Sequence, residues 1–285
     1  MTLPLAAKPA EDEGLVDFFS DRRNDYGIES RWMAKYIGNY PNTIGRWVER
    51  LYDWRLQWLL RGATANVVST PPRKVLVLGV RVEKRADWLD RVMLKLRSNH
   101  HLVSCRTKNM DATPRVTNLN LLLHEAPIDD FDWVITADDD IDLPEDFLDV
   151  FLHFCEQCDM SIAQPAHRFQ SHASYALNMR HWNCVARETG FVEVGPLVAF
   201  HRRTFSSLLP FPDVGMGHGL DINWSWLARQ HGWKLGVVDA TPLRHLNPVG
   251  AAYNQREMQV LASRFLKQAG HVSKREALVT IQRFP

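Results

Sequence analysis

Asp138, Asp139 and Asp140 stand side by side, directly after the apolar run Trp133-Val134-Ile135-Thr136-Ala137. Adjacent carboxylates at the end of a buried strand repel one another and lose hydration, and a cation relieves both effects. Hard oxygen donors suit Mg²⁺ or Mn²⁺. In an open α/β sheet, ligands bind at the carboxyl ends of the strands. The cluster therefore reads as a divalent-cation site held against a bound phosphate. A solvated acidic turn is the competing reading, because Asp is frequent in turns. Asp142 reads as a helix N-cap ahead of Pro144 rather than as a ligand.

Other residues fit a phosphate-bearing ligand. Arg81 and Glu83 follow the first apolar strand, KVLVLGV. Arg106, Lys108 and Asn109 close the second, HLVSCRTKN. Arg115 opens the next helix, where an anion can also rest on backbone N–H groups. Singly each is an ordinary surface charge; as a set they form a nucleotide cradle. Glu193 lies in the apolar segment GFVEVGP, between Gly190 and Gly195. An acid there is costly unless paired or functional. It either binds a ligand hydroxyl, serves as a base, or forms a salt bridge with Arg202 or Arg203. Trp182, Trp224 and Trp226 could stack on a sugar ring, although core packing is the plainer role.

These residues need a frame. KVLVLGV, HLVSCRTKN and FDWVITA alternate with the helical patterns RADWLDRVMLKLRSN and RVTNLNLLLHEA, the latter capped by Thr113. Such alternation predicts a mainly parallel sheet covered by helices. Helix PEDFLDVFLHFCEQC, strand MSIAQPAH, a polar stretch RFQSHASYALNMRHWN, helix GLDINWSWLARQHG and strand WKLGVVDA follow. The expected organisation is a disordered tail over 1–13, a helical extension and linker over 14–70, a catalytic domain over 71–252, and a helical tail over 253–285. Within the extension, Ile44, Trp47, Val48, Leu51, Trp54, Trp58 and Leu59 recur at the helical period, flanked by Arg46, Arg50, Arg55 and Arg61. Docking on the main domain or on a second subunit is the plainer use of this stripe. A peripheral anionic membrane surface is the other.

A formal net charge of +1 gives no global electrostatic case for nucleic acid. No run of about 18 apolar residues predicts a membrane span. The first residues lack a basic and then apolar leader, so a cytoplasmic protein is expected, peripheral at the membrane if the helix docks there. Cys105, Cys155, Cys158 and Cys184 then read as thiols. Cys155 and Cys158 fall late in a helix pattern, which favours packing over a redox or zinc motif.

The order of these motifs resembles the GT-A fold of nucleotide-sugar-dependent glycosyltransferases, an α/β, Rossmann-like architecture. Across roughly residues 75–250 the segments ADDDI, IAQPA, TGFVEVGPLVAF, GHGLD and GVVDATPLRH are similar to those of plant and bacterial proteins classed as glycosyltransferases. His218 stands where those proteins usually carry Trp. The resemblance implies that Asp138, Asp140 and His245 bind the metal, and that Asp138 and Asp139 contact the nucleotide sugar. It implies that Asp221, or instead Glu193, deprotonates an acceptor hydroxyl; Asp221 also reads as a plain N-cap. The expected reaction moves a sugar from a nucleoside-diphosphate sugar to a saccharide, lipid, peptide or small-molecule hydroxyl, with inversion. A nucleotidyltransferase is the second reading, weakened by the lack of glycine in VRVEKRAD after the first strand. A non-catalytic carbohydrate- or nucleotide-binding module is the third.

Overall fold

The computed structural model of the chain describes residues 18, 43–61, 71–81, 86–110, 113–247 and 254–285. Helix α1 (Thr43–Leu60) precedes strand β1 (Lys74–Arg81), helix α2 (Ala86–Lys95), strand β2 (Leu102–Asn109), helix α3 (Arg115–His124) and strand β3 (Trp133–Ala137). The short strand β4 (Ile141–Asp142), helix α4 (Phe147–Gln157), β5 (Ile162–His167), β6 (Ala186–Thr189) and β7 (Leu197–His201) follow. After them come α5 (Phe205–Leu208), α6 (Leu220–His231), β8 (Leu235–His245), α7 (Gln255–Ala269), α8 (Lys274–Ala277) and β9 (Thr280–Phe284).

The main sheet runs β2-β1-β3-β7-β5-β8-β6-β9. β1 pairs in parallel with β2 and β3, and β5 with β8, while β7 and β6 run against their neighbours. The α/β class expected from the alternating pattern is therefore the one the chain adopts: most strands share one direction, and helices cover both faces.

Period-two alternation splits each strand between two cores. Leu76, Leu78 and Val80 of β1 join Val116 and Leu119 of α3 and Trp224 of α6 on one face. Val75 and Val77 join Leu89 and Val92 of α2 and Phe147 and Phe151 of α4 on the other. Gly79 lets α2 come close, because a Cβ there would lie 2.8 Å from Leu89 and from Met93. Phe18 reaches the first core and stacks on Phe191, with ring centroids 5.7 Å apart.

Several local expectations are corrected. The position before α3 is Pro114 with no side-chain cap; Thr113 instead offers its carbonyl to Asn118 Nδ2 at 2.9 Å. Asp142 caps nothing, because Ile141 and Asp142 pair with β8 and α4 begins only at Phe147. Residues 280–284 form β9 beside β6 rather than continuing a helical tail. Trp224, by contrast, takes the plainer role expected for it and packs in the core against Phe200 and Phe211. Cys155 and Cys158 are buried thiols, as expected, and burial pushes Cys158 up to about 11.

Helix α1 docks by a face other than the tryptophan stripe. Leu56, Leu59 and Leu60 rest on the second core. Tyr52 meets Phe169 and Trp182 edge-on, each at 4.8 Å. Glu49 and Asp53 turn inward and are clamped by Arg168 and Arg180. The expected extension of 14–42 and the tail of 1–13 lie outside the described residues, Phe18 excepted.

Candidate active site

β3 delivers the acidic cluster to the carboxyl end of the sheet. Asp138 N–H donates to the Pro196 carbonyl at 2.8 Å, after which the chain bends and Ile141 pairs with His245. That pairing brings Asp140 and His245 together: Nε2 of His245 lies 3.3 Å from Oδ1 of Asp140. Asn247 Nδ2 donates to the other oxygen at 2.8 Å, and Leu246 N–H donates to the Asp140 carbonyl at 2.9 Å. The imidazole is oriented from behind, with Nδ1 donating to the His172 carbonyl at 2.9 Å. Ser171 Oγ accepts from the His245 N–H at 2.8 Å and lies 2.9 Å from His167 Nδ1. Burial pulls the His245 pKa down, but the bond and charge of Asp140, with Asp138 beyond, outweigh it and leave the group above its ordinary value. His167 has no such partner, and burial drives it down to about 3.

Asp138, whose charge also reaches His245, is held from α3 and from the loop at Gly195. Arg115, the first residue of α3, donates from Nε to its Oδ1 at 2.8 Å. A Cβ on Gly195 would lie 3.0 Å from its Oδ2, so the backbone at Gly195 passes directly against this carboxylate. Asp139 is buried.

The loop Glu193-Val194-Gly195 joins the cluster to the base candidates. Glu193 is buried in this loop, not in a strand. Ser174 Oγ donates to one carboxylate oxygen, and Asn178 Nδ2 donates to the other at 2.7 Å. The salt bridge considered for it does not form, since Arg202 pairs with Asp132 and Arg203 with Asp159. Gln164 Oε1 accepts the Glu193 N–H. Burial lifts the Glu193 pKa above its usual range, although its two hydrogen bonds and His245 act against that.

Asp221 lies in the first turn of α6. The N-cap position is Gly219, in the left-handed region at φ 90°, so Asp221 is not the cap. Burial first, and the charge of Glu193 second, push its pKa up to about 7, against hydrogen bonds from the N–H groups of Ile222, Val194 and Asp221 itself. Gly217 (φ +103°) brings the turn against the same loop, where an added Cβ would lie 3.0 Å from Val194 Cγ2. His218, between the two glycines, is held down to about 4 by burial. A single loop thus touches Asp138 through Gly195, binds Asp221 through the Val194 N–H, and places Glu193 where its charge reaches both Asp221 and His245.

The other expected contacts are less unified. Arg81 ends β1 and pairs with Asp90 of α2, and Asn109 ends β2 opposite Arg81. Arg106 sits earlier in β2, 3.9 Å from Glu125. Glu83 lies outside the described residues. Among the described residues, no group of three or more His, Cys, Asp or Glu side chains is gathered closely enough to hold a metal ion by itself. The sequence reading missed Ser171, His172, Ser174, Asn178, Gln164 and Asn247. The one signal for Ser171, His172, Ser174 and Asn178 was the density of polar residues in RFQSHASYALNMRHWN; Gln164 and Asn247 lie outside it.

No protein-family model and no curated protein matches the chain by sequence. Among solved structures, the fold is similar to GalNAc-T7, whose crystal structure holds UDP, GalNAc and Mn²⁺, with a TM-score of 0.47 and 10% identity. That match covers 70% of this chain and 48% of the other, so the chain spans about half of GalNAc-T7. It is also similar to A197 from STIV, with a TM-score of 0.38 and 13% identity over 61% of this chain and 86% of that one.

Proposed function

We propose that the protein is a metal-dependent glycosyltransferase of GT-A type. It transfers a sugar from a nucleoside-diphosphate sugar to an acceptor hydroxyl, inverting the anomeric centre in one displacement. The observation that carries this reading is the loop of Glu193, Val194 and Gly195. It ties a buried carboxyl, Asp221, whose pKa is about 7, to the acidic cluster at the end of β3. A base of that pKa is half ionised near neutrality and accepts a proton well.

Asp221 takes the acceptor hydroxyl proton as that oxygen attacks the anomeric carbon. The bond from this carbon to the diphosphate oxygen breaks, and its electron pair leaves with the nucleoside diphosphate. Arg115, at the opening of α3, offers a guanidinium to the departing anion. Asp138 and Asp139 contact the donor, and Arg81 and Asn109 lie at the ends of neighbouring strands where the nucleotide would extend. Glu193, with both oxygens already accepting hydrogen bonds, positions and tunes Asp221.

Asp140 and His245, which lie together, are the pair that would hold Mn²⁺ or Mg²⁺; Asp138, bonded to Arg115, would have to turn toward them to complete the set. Nδ1 of His245 bonds to a backbone carbonyl, which is how proteins orient imidazole ligands, and a cation would take the place of the contact that Nε2 now makes with Asp140. A bound cation would supply charge to offset the leaving diphosphate.

Incubation with UDP-, GDP-, dTDP-, CDP- and ADP-sugars plus Mn²⁺ tests the reading through release of the nucleoside diphosphate. Release from one donor that disappears in Asp221→Asn supports it. No release from any donor, with or without mixed acceptors, points to a non-catalytic module.

A further inference from the structure

Helix α1 carries an apolar stripe that stays exposed among the described residues. Trp47 and Trp54 are each 62% exposed, Trp58 is 53% exposed and Leu51 is 52% exposed. Their spacing places all of them along one side of the helix. Leaving three indoles in water is costly, because each carries a large apolar surface. The opposite side is what anchors the helix, through Leu56, Leu59, Tyr52 and the ion pairs of Glu49 and Asp53.

The charges on α1 are sorted in the same sense. Both acids, Glu49 and Asp53, are turned inward onto Arg168 and Arg180, and Arg55 is held by Asn183 at 2.9 Å. Arg46 and Arg50 of α1, and Arg61 just after it, are exposed beside the tryptophans. The outward side therefore presents indoles and guanidinium groups with no carboxylate among its exposed residues. Indoles favour the boundary between lipid tails and headgroups, and arginines beside them attract anionic headgroups.

We propose that α1 lays this outward side on an anionic lipid bilayer, seating the catalytic domain at a membrane surface. A second copy meeting α1 through the same side is a poorer occupant, because that side would bring more arginines and no exposed acid to meet them. Within the described residues no helix is long and apolar enough to cross a membrane.

Co-sedimentation of the full chain with phosphatidylcholine vesicles, with and without phosphatidylserine, tests the proposal. Binding is expected only with phosphatidylserine, accompanied by a blue shift of tryptophan emission. It should be lost in a Trp47→Ser, Trp54→Ser, Trp58→Ser variant. It should fall about five-fold for each of Arg46→Gln, Arg50→Gln and Arg61→Gln. The arginine variants leave the inward ion pairs intact, so they remain informative if the tryptophan variant folds poorly. No binding to either vesicle, equal binding to both, or a concentration-dependent dimer abolished by the tryptophan substitutions would overturn it.

Discussion

Nε2 of His245 lies 3.3 Å from Oδ1 of Asp140, held there by a hydrogen bond on the far side of the ring. Ser171 fixes the backbone of His245 while touching His167, so it supports the pair without belonging to it. Ser171→Ala should therefore weaken Mn²⁺ affinity by about ten-fold or more. Isothermal titration of Mn²⁺ in the presence of a nucleoside diphosphate measures this. Unchanged affinity would mean that His245 does not need the support.

Asp221→Asn should abolish transfer yet stabilise the fold. The folded pKa of about 7 lies above the ordinary value of 3.8. The folded state therefore holds the proton longer than the unfolded chain does. Stability from this group is fully present below the unfolded pKa and is lost as pH rises through about 7. The variant's advantage should grow by about 1.4 kcal/mol per pH unit up to that point, reaching ~4 kcal/mol at most. Urea melts at pH 5 and pH 8 compare the two proteins; equal midpoints at pH 8 would show that Asp221 is not strained by its burial.

Activity should follow the same carboxyl. The initial transfer rate should rise with pH through about 7 as Asp221 ionises, then level off. A rate already flat from pH 5 upward would point to a base with an ordinary carboxylate pKa.

Gly195→Ala places a methyl group 3.0 Å from Asp138 Oδ2. The carboxylate or the loop must shift, and the same loop holds Asp221. We expect a loss of transfer rate of about a hundred-fold, with a melting temperature lowered by only a few degrees. A wild-type rate would dissociate the loop from the chemistry.

Glu49→Ala should destabilise the docking of α1 by about 3 kcal/mol, because Arg180 is buried and would keep only Asp53. Limited proteolysis reads this as faster cleavage around α1. Cleavage at the wild-type rate would show that the apolar contacts of Leu56 and Leu59 suffice.

The frame was legible because each part of it repeats a local signal. Val75 to Val80 and Trp133 to Ala137 are apolar runs of strand length, and the carboxylates that follow need an explanation wherever they lie. Gly217 and Gly219 announce a turn, and Asp221 follows from it. The supporting residues were not legible. Ser171, His172, Ser174 and Asn178 lie in a stretch with no period, and their partners are distant in the chain. Glu193 reads as part of a strand because its neighbours are apolar, yet it sits in a loop. The side on which α1 docks was misread for a related reason. Periodicity finds the tryptophan stripe, but Glu49 and Asp53 meet arginines more than a hundred residues away, and those ion pairs set the orientation. β9 is short and polar, and takes its conformation from pairing with β6.

Thermal-shift measurement of UDP, GDP, dTDP, CDP and ADP, each with and without Mn²⁺, on the native protein and on Asp140→Ala tests the central claim most directly. Selective binding to the folded state raises the melting temperature. The account predicts a shift for one nucleotide that requires Mn²⁺ and vanishes in Asp140→Ala. No shift with any nucleotide, or a shift that persists unchanged in the variant, would contradict it.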